Sequence, residues 1–420
     1  MTWILTRIII IRMNSIHGGI VRRSRKRLAL GSTLVAGALL LTACGSGAGG
    51  GAGGGSAGVT KDTITFGMAT PLAGPASSLG TDGRKGAEVF IKWLNDKGGT
   101  KGHKWKLEVQ DSKFTAQGNV AAAKYLIEQK HVFADWGDVG STALAALSTY
   151  NDAKVPYLFP YALAPQMTDP GPYVFTIVPP SDIQEKAFSD WAAKNITGTH
   201  KFGTLALDSA DGKGAASGFK AGAAGKYVVA SQSYPNGTTN WEAQLIALRS
   251  AGITDLVLHG SDAWMATILQ EMQQLGMGQV HVWGSTGTVT PLVFKLAGKL
   301  ADGQNAVSIT APSTADSVPG IHEFLQAFAK YEPGYQPGTF ALHSWVTGLI
   351  IAKAVDAISG DITRDALVKS LEKIKDFDTG GITAPLTFNA DQHLGNRSVQ
   401  IVKGVNGQWL PQTDFIGSNG

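Results

Sequence analysis

The sequence predicts an α/β protein with two lobes, each a mostly parallel sheet flanked by helices. The first observation is a regular alternation of strand patterns and helical stripes from Thr60 onward. The second is that this alternation is interrupted at Pro179-Pro180 and resumes near Ser181. Strands separated by a helix each time form right-handed βαβ units, which build parallel sheets. We therefore expect a ligand site at the carboxyl ends of the strands, in the cleft between the lobes.

The first series contains four strand patterns and three helical patterns. Thr63–Ala69 is rich in β-branched residues and predicts the first strand. The segment 82–97 carries an apolar stripe at helical spacing and ends at Gly98-Gly99, which predicts a helix. The remaining elements are strands over 104–110, 132–136 and 155–159 and helices over 115–130 and 141–151.

The second series opens with a helix at Ser181, where polar residues favour an N-terminal cap. Its other elements are strands over 202–207, 226–231, 254–259 and 280–283 and helices over 213–224, 240–251, 263–275 and 288–300. After residue 311 the pattern changes to long helices. These are predicted over 318–331, 338–358 and 363–375, and two β segments follow at 384–388 and 398–403.

Composition excludes several classes of function. The chain has 420 residues, enough for two or three domains, with 43% apolar and 16% charged residues as in globular proteins. Its net charge of +4 arises in residues 1–43, which hold seven basic residues and no acid. Without those seven of the 36 basic residues, 29 face 32 acidic residues, a net charge of −3 that disfavours nucleic-acid binding. The single cysteine, Cys44, excludes an internal disulfide and a cysteine-based zinc site.

The N-terminus has the pattern of an export signal. A basic run at 22–27 precedes an apolar stretch of 14 residues at 28–41. The following Leu41-Thr42-Ala43-Cys44 resembles the lipobox of bacterial lipoproteins. That resemblance implies cleavage after a signal peptide of residues 1–43 and a lipid on Cys44. Residues 44–58, with nine glycines from position 45 onward, would then be a flexible tether to the outer face of the cell membrane.

Several segments, taken in order, resemble branched-chain amino-acid-type solute-binding proteins of ABC transporters. Together they span about residues 59–412. They are Gly67–Pro75 (GMATPLAGP), Asn95–Gly102 (NDKGGTKG), Gly140-Ser141, Val155–Pro160 (VPYLFP), Pro180-Ser181-Asp182 and Thr379–Asn389 (TGGITAPLTFN).

The resemblance implies a type I periplasmic-binding fold with three hinge crossings. The first lobe would be 59–180 plus 312–395, and the second lobe 181–311 plus 396–420. It also implies a protein that closes over a small solute and delivers it to ABC permease subunits. No catalysis, cofactor or metal is expected, and we expect a monomer.

Candidate ligand residues of the first lobe follow its strands. Ser141 and Thr142 lie at a predicted helix start, where free N–H groups and a hydroxyl bind anions. The resemblance implies that the serine holds a ligand carboxylate; the alternative is a plain helix cap. Ser77 and Ser78 follow the first strand at the mouth of the cleft, with a polar turn as the alternative.

The loop after the fourth strand supplies three more candidates, Tyr161, Ala162 and Leu163. The resemblance implies that this loop offers backbone groups and a threonine hydroxyl to the ligand, but Leu163 occupies the threonine position. Tyr161, Trp136 and Trp264 lie at strand ends or helix starts and could stack on a flat ligand. Their alternative is an ordinary place in the core.

The candidates of the second lobe are Asp211, Asp262, Trp264 and Thr286. In the resembled family an aromatic residue follows the first strand of this lobe, where this chain has the segment of Asp211. An acidic residue that neutralises a ligand ammonium is expected at the place of Thr286. Asp262 is the remaining acid that could replace it. A calcium loop at Asp208–Gly212 is disfavoured because its closing glutamate is absent.

These departures predict a ligand that is a small carboxylate or an amide rather than a standard branched-chain amino acid. Two other functions stay open at this point. A ligand-sensing ectodomain that signals to a membrane partner uses the same fold. A secreted hydrolase is less favoured, because the nine histidines show no metal-binding spacing and no nucleophile–base pair is evident.

Overall fold

The computed structural model describes residues 56–74 and 76–417. The signal segment, Cys44 and most of the predicted tether lie outside these residues. The first sheet contains four short or medium strands: β1 (Thr63–Thr70), β2 (Lys104–Asp111), β3 (Tyr157–Leu158) and β4 (Val174–Phe175). β1 pairs with β2 in parallel, and β3 pairs with β4 in parallel.

The predicted strand 132–136 is an extended connection rather than a full strand. Asp135 forms single parallel bridges to Gly67 on one side and to Tyr157 on the other. Its neighbours add backbone hydrogen bonds, such as the 2.8 Å bond from the Phe133 N–H to the carbonyl of Thr65. This segment therefore joins the β1–β2 pair to the β3–β4 pair.

The second sheet has eight strands. They are β5 (Phe202–Leu207), β6 (Val228–Tyr234), β7 (Asp255–His259), β8 (His281–Gly284), β9 (Asn305–Ser308), β10 (Ser398–Val405), β11 (Gln408–Pro411) and β12 (Ile416–Gly417). Their order is β11-β10-β9-β8-β7-β5-β6, and β12 pairs with β10. Strands β5 to β9 run parallel, whereas β10 is antiparallel to its three partners.

Two details of the strand prediction are wrong. The segment 384–388 is not a strand, because Leu386 makes only an isolated bridge to Phe377. The strands β4, β9, β11 and β12 lack predicted counterparts, since they are short and lack a strong apolar alternation.

Eleven α-helices lie in the described residues. Those before and within the second sheet are α1 (Ser77–Asp96), α2 (Ala116–Glu128), α3 (Leu147–Ala153), α4 (Ser181–Asn195), α5 (Ala210–Ala221), α6 (Glu242–Ser250), α7 (Asp262–Gln274) and α8 (Pro291–Ala297). Three more precede β10: α9 (Pro319–Tyr331), α10 (Thr339–Asp356) and α11 (Arg364–Leu371). None of the helices over this part of the chain has the length and apolar character to cross a membrane.

The hydrophobic clusters show that segments far apart in the sequence pack into the same lobe. Phe66 of β1, Phe90 of α1 and Trp345 of α10 share one core, so the late helices pack with the first sheet. The second sheet buries both faces, with Leu256 and Val257 of β7 in separate clusters. The two-lobed α/β architecture is therefore confirmed, whereas the lobe boundaries 59–180 plus 312–395 and 181–311 plus 396–420 stay predictions.

Candidate functional site

Three neighbouring parallel strands of the second sheet end at one edge. β8, β7 and β5 are adjacent in the sheet and lead into the segments that carry Thr286, His259-Gly260 and Asp211. Because parallel strands deliver their carboxyl ends to the same edge, these segments lie side by side. Ser285 links two of them, since its hydroxyl donates to the Gly260 carbonyl at 3.1 Å.

Local hydrogen bonds place Asp211 in the first turn of α5. The hydroxyl of Ser209 accepts the Gly212 N–H at 3.2 Å and caps the helix. Ser181, at the start of α4, donates its hydroxyl to the Asp211 carbonyl at 2.6 Å. The Asp211 side chain then lies with one carboxylate oxygen, Oδ2, 4.0 Å from Nε2 of His259.

His259 is the last residue of β7 and is 6% exposed. The hydroxyl of Tyr234 donates to its backbone carbonyl at 2.7 Å, which holds the main chain in place. Neither ring nitrogen has a hydrogen-bond partner among the described residues. Burial lowers the pKa of His259, although the nearby Asp211 carboxylate acts in the opposite direction. The imidazole is therefore neutral at physiological pH.

The first lobe reaches this edge through Tyr161. Its hydroxyl lies 3.4 Å from Oγ1 of Thr286, and its ring is 5% exposed. The ring packs edge-on against Phe340 and His343 of α10, with centroids 4.9 Å and 5.0 Å away. Burial raises the pKa of Tyr161 to about 12, so its hydroxyl stays protonated. Tyr161 and Thr286, both predicted as ligand residues, are thus brought together across the two lobes.

A second contact between the lobes lies beside the first. The hydroxyl of Thr339, at the start of α10, donates to the carbonyl of Val289 at 2.9 Å. Val289 follows the short 3₁₀ turn Thr286–Thr288. The start of α10 therefore forms part of the first lobe's side of the cleft.

The predicted helix at 141–151 is wrong in its first half. Ser141–Ala146 forms a 3₁₀ turn, and the α-helix α3 begins only at Leu147. The anion site expected at Ser141 and Thr142 would therefore lie at the start of a 3₁₀ turn, and it stays a prediction. Both side chains are half-buried, and the Thr142 hydroxyl accepts a hydrogen bond from Asn119 at 3.2 Å.

Ser141 nevertheless lies near Tyr161. The N–H of the preceding Gly140 donates to the Tyr161 carbonyl at 2.8 Å. Gly140 has a φ of +90°, a conformation that favours glycine. Of the other loop candidates, Ala162 is fully buried, and Leu163 is half-buried beside the cluster that contains Tyr161.

Trp136 is a core residue, which corrects its prediction as a ligand-stacking side chain. It is 2% exposed and its Nε1–H donates to the carbonyl of Ser344 at 3.2 Å. Its ring contacts Phe66, Phe90 and Trp105, with centroids between 5.7 and 6.0 Å away. The alternation of the first sheet turns this side chain inward, so no face of the ring is left for a ligand.

Asp262 is engaged within its own lobe. Its Oδ2 accepts the hydroxyl of Thr290 at 2.6 Å, and its Oδ1 accepts the N–H of Ala263 at 2.7 Å. Trp264, in the same first turn of α7, is half-buried and packs edge-on against Tyr234 at 5.7 Å. Asp262 thereby caps the start of α7, while the ligand roles of Asp262 and Trp264 stay predictions.

Ser77 and Ser78 form the first turn of α1 rather than a loop. Ser77 is half-buried, Ser78 is exposed, and the Ser77 N–H donates to the Gly74 carbonyl at 3.1 Å. The structure does not bring them to the group around Tyr161 through any described hydrogen bond. No group of three metal-binding side chains occurs within residues 56–74 and 76–417.

Sequence reasoning missed two contributors to the site. His259 could have been found as the one polar residue that ends the apolar run Leu256-Val257-Leu258 at a carboxyl end. Phe340 carried no local signal, because its place beside Tyr161 depends on α10 packing against the first sheet.

Comparison with known proteins shows which family has this architecture. The family described as periplasmic binding protein matches residues 63–408. The Leu/Ile/Val-binding protein homolog 3 of Brucella melitensis is 25% identical over 349 residues, which cover 82% of this chain and 92% of that protein. The Leu/Ile/Val-binding protein homolog 8 of Brucella abortus is 29% identical over 314 residues, covering 71% and 77% of the two chains.

Solved structures share the fold. A fatty acid ABC transporter substrate-binding protein from Thermomonospora curvata superposes with a TM-score of 0.76 at 21% identity, covering 87% of this chain and 95% of that chain. A branched-chain amino acid ABC transporter protein from Thermus thermophilus with bound valine gives 0.74 at 18% identity, covering 86% and 98%. These similarities confirm the type I periplasmic-binding fold, and the chain belongs to the periplasmic binding protein family.

Proposed function

We propose that this chain is an extracytoplasmic solute-binding lipoprotein that captures a small solute between its lobes and delivers it to an ABC permease. The observation that carries this proposal is the contact of Tyr161 with Thr286, 3.4 Å between hydroxyl oxygens of opposite lobes. This contact supports the proposal, because each of the two residues follows a strand of its own lobe at the carboxyl end. Such an edge is where open α/β sheets bind ligands.

The mode of action is capture by closure. A solute that contacts both lobes stabilises the closed arrangement, because it interacts with that state more favourably than with an open one. The three passages of chain between the lobes then act as hinges. The site contains no nucleophile with an adjacent base, so we assign it a binding role and no catalysis.

The solute is proposed to be a small carboxylate or amide rather than a standard branched-chain amino acid. Thr286 is uncharged, and both carboxylate oxygens of Asp262 are taken by Thr290 and Ala263. A buried ammonium costs several kcal/mol unless a carboxylate reaches it, and Asp211 is the acid of this edge that remains for that role. The aromatic ring of Tyr161, at the contact between the lobes, would favour a flat solute.

The mature protein is proposed to be held at the membrane by a lipid on Cys44. This part of the proposal rests on the sequence pattern, because Cys44 lies outside the described residues. A tethered captor remains close to its permease, which raises the effective concentration of the loaded form.

A thermal-shift screen of small metabolites on the mature protein tests the proposed function. A solute at 100 times its Kd is expected to stabilise the folded protein by roughly 2.7 kcal/mol. Loss of uptake of the same solute on deletion of the gene would assign transport. Undisturbed uptake together with a lost signalling response would assign sensing instead.

A further inference from the structure

His259 is a buried polar side chain that the fold leaves without a partner. It is 6% exposed, and both Nδ1 and Nε2 lack hydrogen bonds to any described residue. Buried polar groups in native proteins are almost always paired, since an unpaired one costs about 1–3 kcal/mol. An unpaired imidazole at the carboxyl edge of a sheet therefore requires a partner that the protein itself does not supply.

The strand alternation gives the side on which this ring lies. Val257 and His259 are two residues apart in β7 and so project from the same face of the sheet. Val257 belongs to the hydrophobic cluster that contains Tyr161 of the first lobe. His259 is the last residue on this face, at the end of the strand where the first lobe covers the edge.

Asp211 supplies the second half of the arrangement. Its Oδ2 lies 4.0 Å from Nε2 of His259, which is too far for a hydrogen bond between the two. If a donor nitrogen lies about 2.8 Å from both Oδ2 and Nε2, the angle between the two acceptors at that nitrogen is roughly 90°. Two N–H bonds of an amide NH2 or an ammonium can point at acceptors separated by such an angle. With its proton on Nδ1, the neutral imidazole offers Nε2 as the acceptor.

The surrounding charges leave the Asp211 carboxylate available. The nearby Lys213 pairs instead with Asp208 at 2.7 Å. Within the described part of the chain, Asp211 has no lysine or arginine nitrogen within 4.0 Å. The Asp211 side chain is only 16% exposed. An ion pair or hydrogen bond formed with it is therefore stronger than the same interaction at an open surface.

We propose that Asp211 and His259 together form the receptor for a nitrogen donor group of the solute, an amide NH2 or an ammonium. This inference rests on the proposed function. Within its ligand class it favours an amide over a bare carboxylate, and it adds an ammonium that pairs with Asp211. The pair holds the nitrogen between Oδ2 and Nε2, while Tyr161 closes over the bound solute from the first lobe. A solute that presents only a carboxylate to this pair meets the negative charge of Asp211 and is rejected.

Calorimetry on the mature protein with two matched pairs of probes tests the receptor. Benzamide and benzoate share a shape and differ in the nitrogen, as do leucine and 4-methylpentanoate. We expect the nitrogen-bearing member of at least one pair to bind at least about tenfold tighter than its partner, which is a difference of about 1.4 kcal/mol. Preference for benzamide assigns an amide, and preference for leucine alone assigns an ammonium.

Variants test whether Asp211 and His259 cause the preference for the nitrogen-bearing probe. Asp211→Asn should reduce the ratio of the two affinities to near one. Asp152→Asn, which removes a carboxylate at an exposed position of α3, is the control and should leave it unchanged. His259→Phe keeps a buried ring without nitrogens and should also abolish the preference, and it serves if Asp211→Asn does not fold.

Three results would overturn the receptor. The first is equal affinity within both pairs, and the second is a preference that survives both Asp211→Asn and His259→Phe. The third is no binding of any of the four probes at about 10 mM. At that concentration a donor-bearing fragment with millimolar affinity is detected. The proposed function fails separately, when no solute in the wider thermal-shift screen stabilises the protein.

Discussion

Asp82 of α1 caps α10 from another helix, because its Oδ2 accepts the Ala341 N–H at 2.9 Å. Its Oδ1 accepts the Gly338 N–H at 2.9 Å and the Tyr335 hydroxyl at 3.0 Å. Unpaired N–H groups at a helix start need acceptors, and a carboxylate also suits the positive end of the helix dipole. The same turn of α10 carries Phe340, which packs against Tyr161. The cap thus connects a buried carboxylate to the wall of the cleft.

Replacing Asp82 by asparagine should destabilise the protein. Asparagine has one acceptor oxygen, so its NH2 group would face one of the two backbone N–H donors that the carboxylate accepts. Asp82 is 8% exposed, so the mismatch cannot be relieved by water, and we expect a loss of about 1–3 kcal/mol. Chemical denaturation with urea measures this. Asp152→Asn, at an exposed position of α3, is the control, and equal stability of the two variants would contradict the capping role.

Glu185 of α4 should make the stability depend on pH. It is 2% exposed, its Oε2 lacks a hydrogen-bond partner among the described residues, and burial raises its pKa from the ordinary 4.5 to about 8. The folded protein therefore holds a proton that the unfolded chain releases. The contribution to stability is complete below pH 4.5 and is lost, by at most about 1.4 kcal/mol per pH unit, as the pH rises to about 8.

The variant Glu185→Gln should remove this dependence. It is expected to match the wild type at acidic pH and to exceed its melting temperature at a pH of about 8, since the amide carries no charge to bury. Glu128→Gln, on an exposed part of α2, should show no such difference. A variant that loses stability equally at both pH values would show that Glu185 has an unrecognised partner.

Binding of a solute should close the lobes as rigid bodies. The contact of Tyr161 with Thr286 is the arrangement that we expect for the loaded protein, and each lobe has its own core and so can move as a unit. Small-angle scattering with and without a solute that gives a thermal shift should show a smaller radius of gyration in the loaded protein. A radius that stays constant at saturation argues against a hinge.

Leucine and valine should bind more weakly than an aromatic amide, because a neutral amide carries no charge to bury. An ammonium that Asp211 does not reach loses several of the roughly 8 kcal/mol that a micromolar complex requires. Calorimetry compares leucine, valine, benzoate and benzamide. Micromolar leucine binding that collapses in Asp262→Asn would mean that Asp262 leaves Thr290 to serve the ligand. Collapse in Asp211→Asn would overturn the exclusion of branched-chain amino acids and support the receptor pair.

The variant Cys44→Ala should release a folded protein from the membrane. A single lipid-bearing residue carries the proposed attachment, and the remaining chain, with a net charge of −3, has little attraction for anionic lipid. Fractionation after a salt wash, with thermal unfolding of the released protein, measures both parts. Ser46→Ala in the tether is the control. Retention of Cys44→Ala in the membrane fraction would exclude lipid anchoring at this residue.

Much of the fold was predictable because it depends on short-range patterns. The strand at 202–207 agrees with β5 at both ends, and the helix at 318–331 differs from α9 by one residue. Apolar periodicity reports which face of an element is buried, and that information lies within about ten neighbouring residues. The segment 132–136 shows the limit, since an extended run of this kind becomes a strand only when its neighbours supply a full ladder.

The sequence by itself determined the alternation of strands and helices and the family, and it predicted the end of the sheet at which we expect a ligand site. The tertiary structure alone decided which candidate side chains reach that site. Tyr161 meets Thr286 across 125 positions of the chain, whereas Trp136 turns into the core. The physical reason is that periodicity is a local property. The distance between two side chains, such as the 4.0 Å from Asp211 to His259, is set by how whole elements pack.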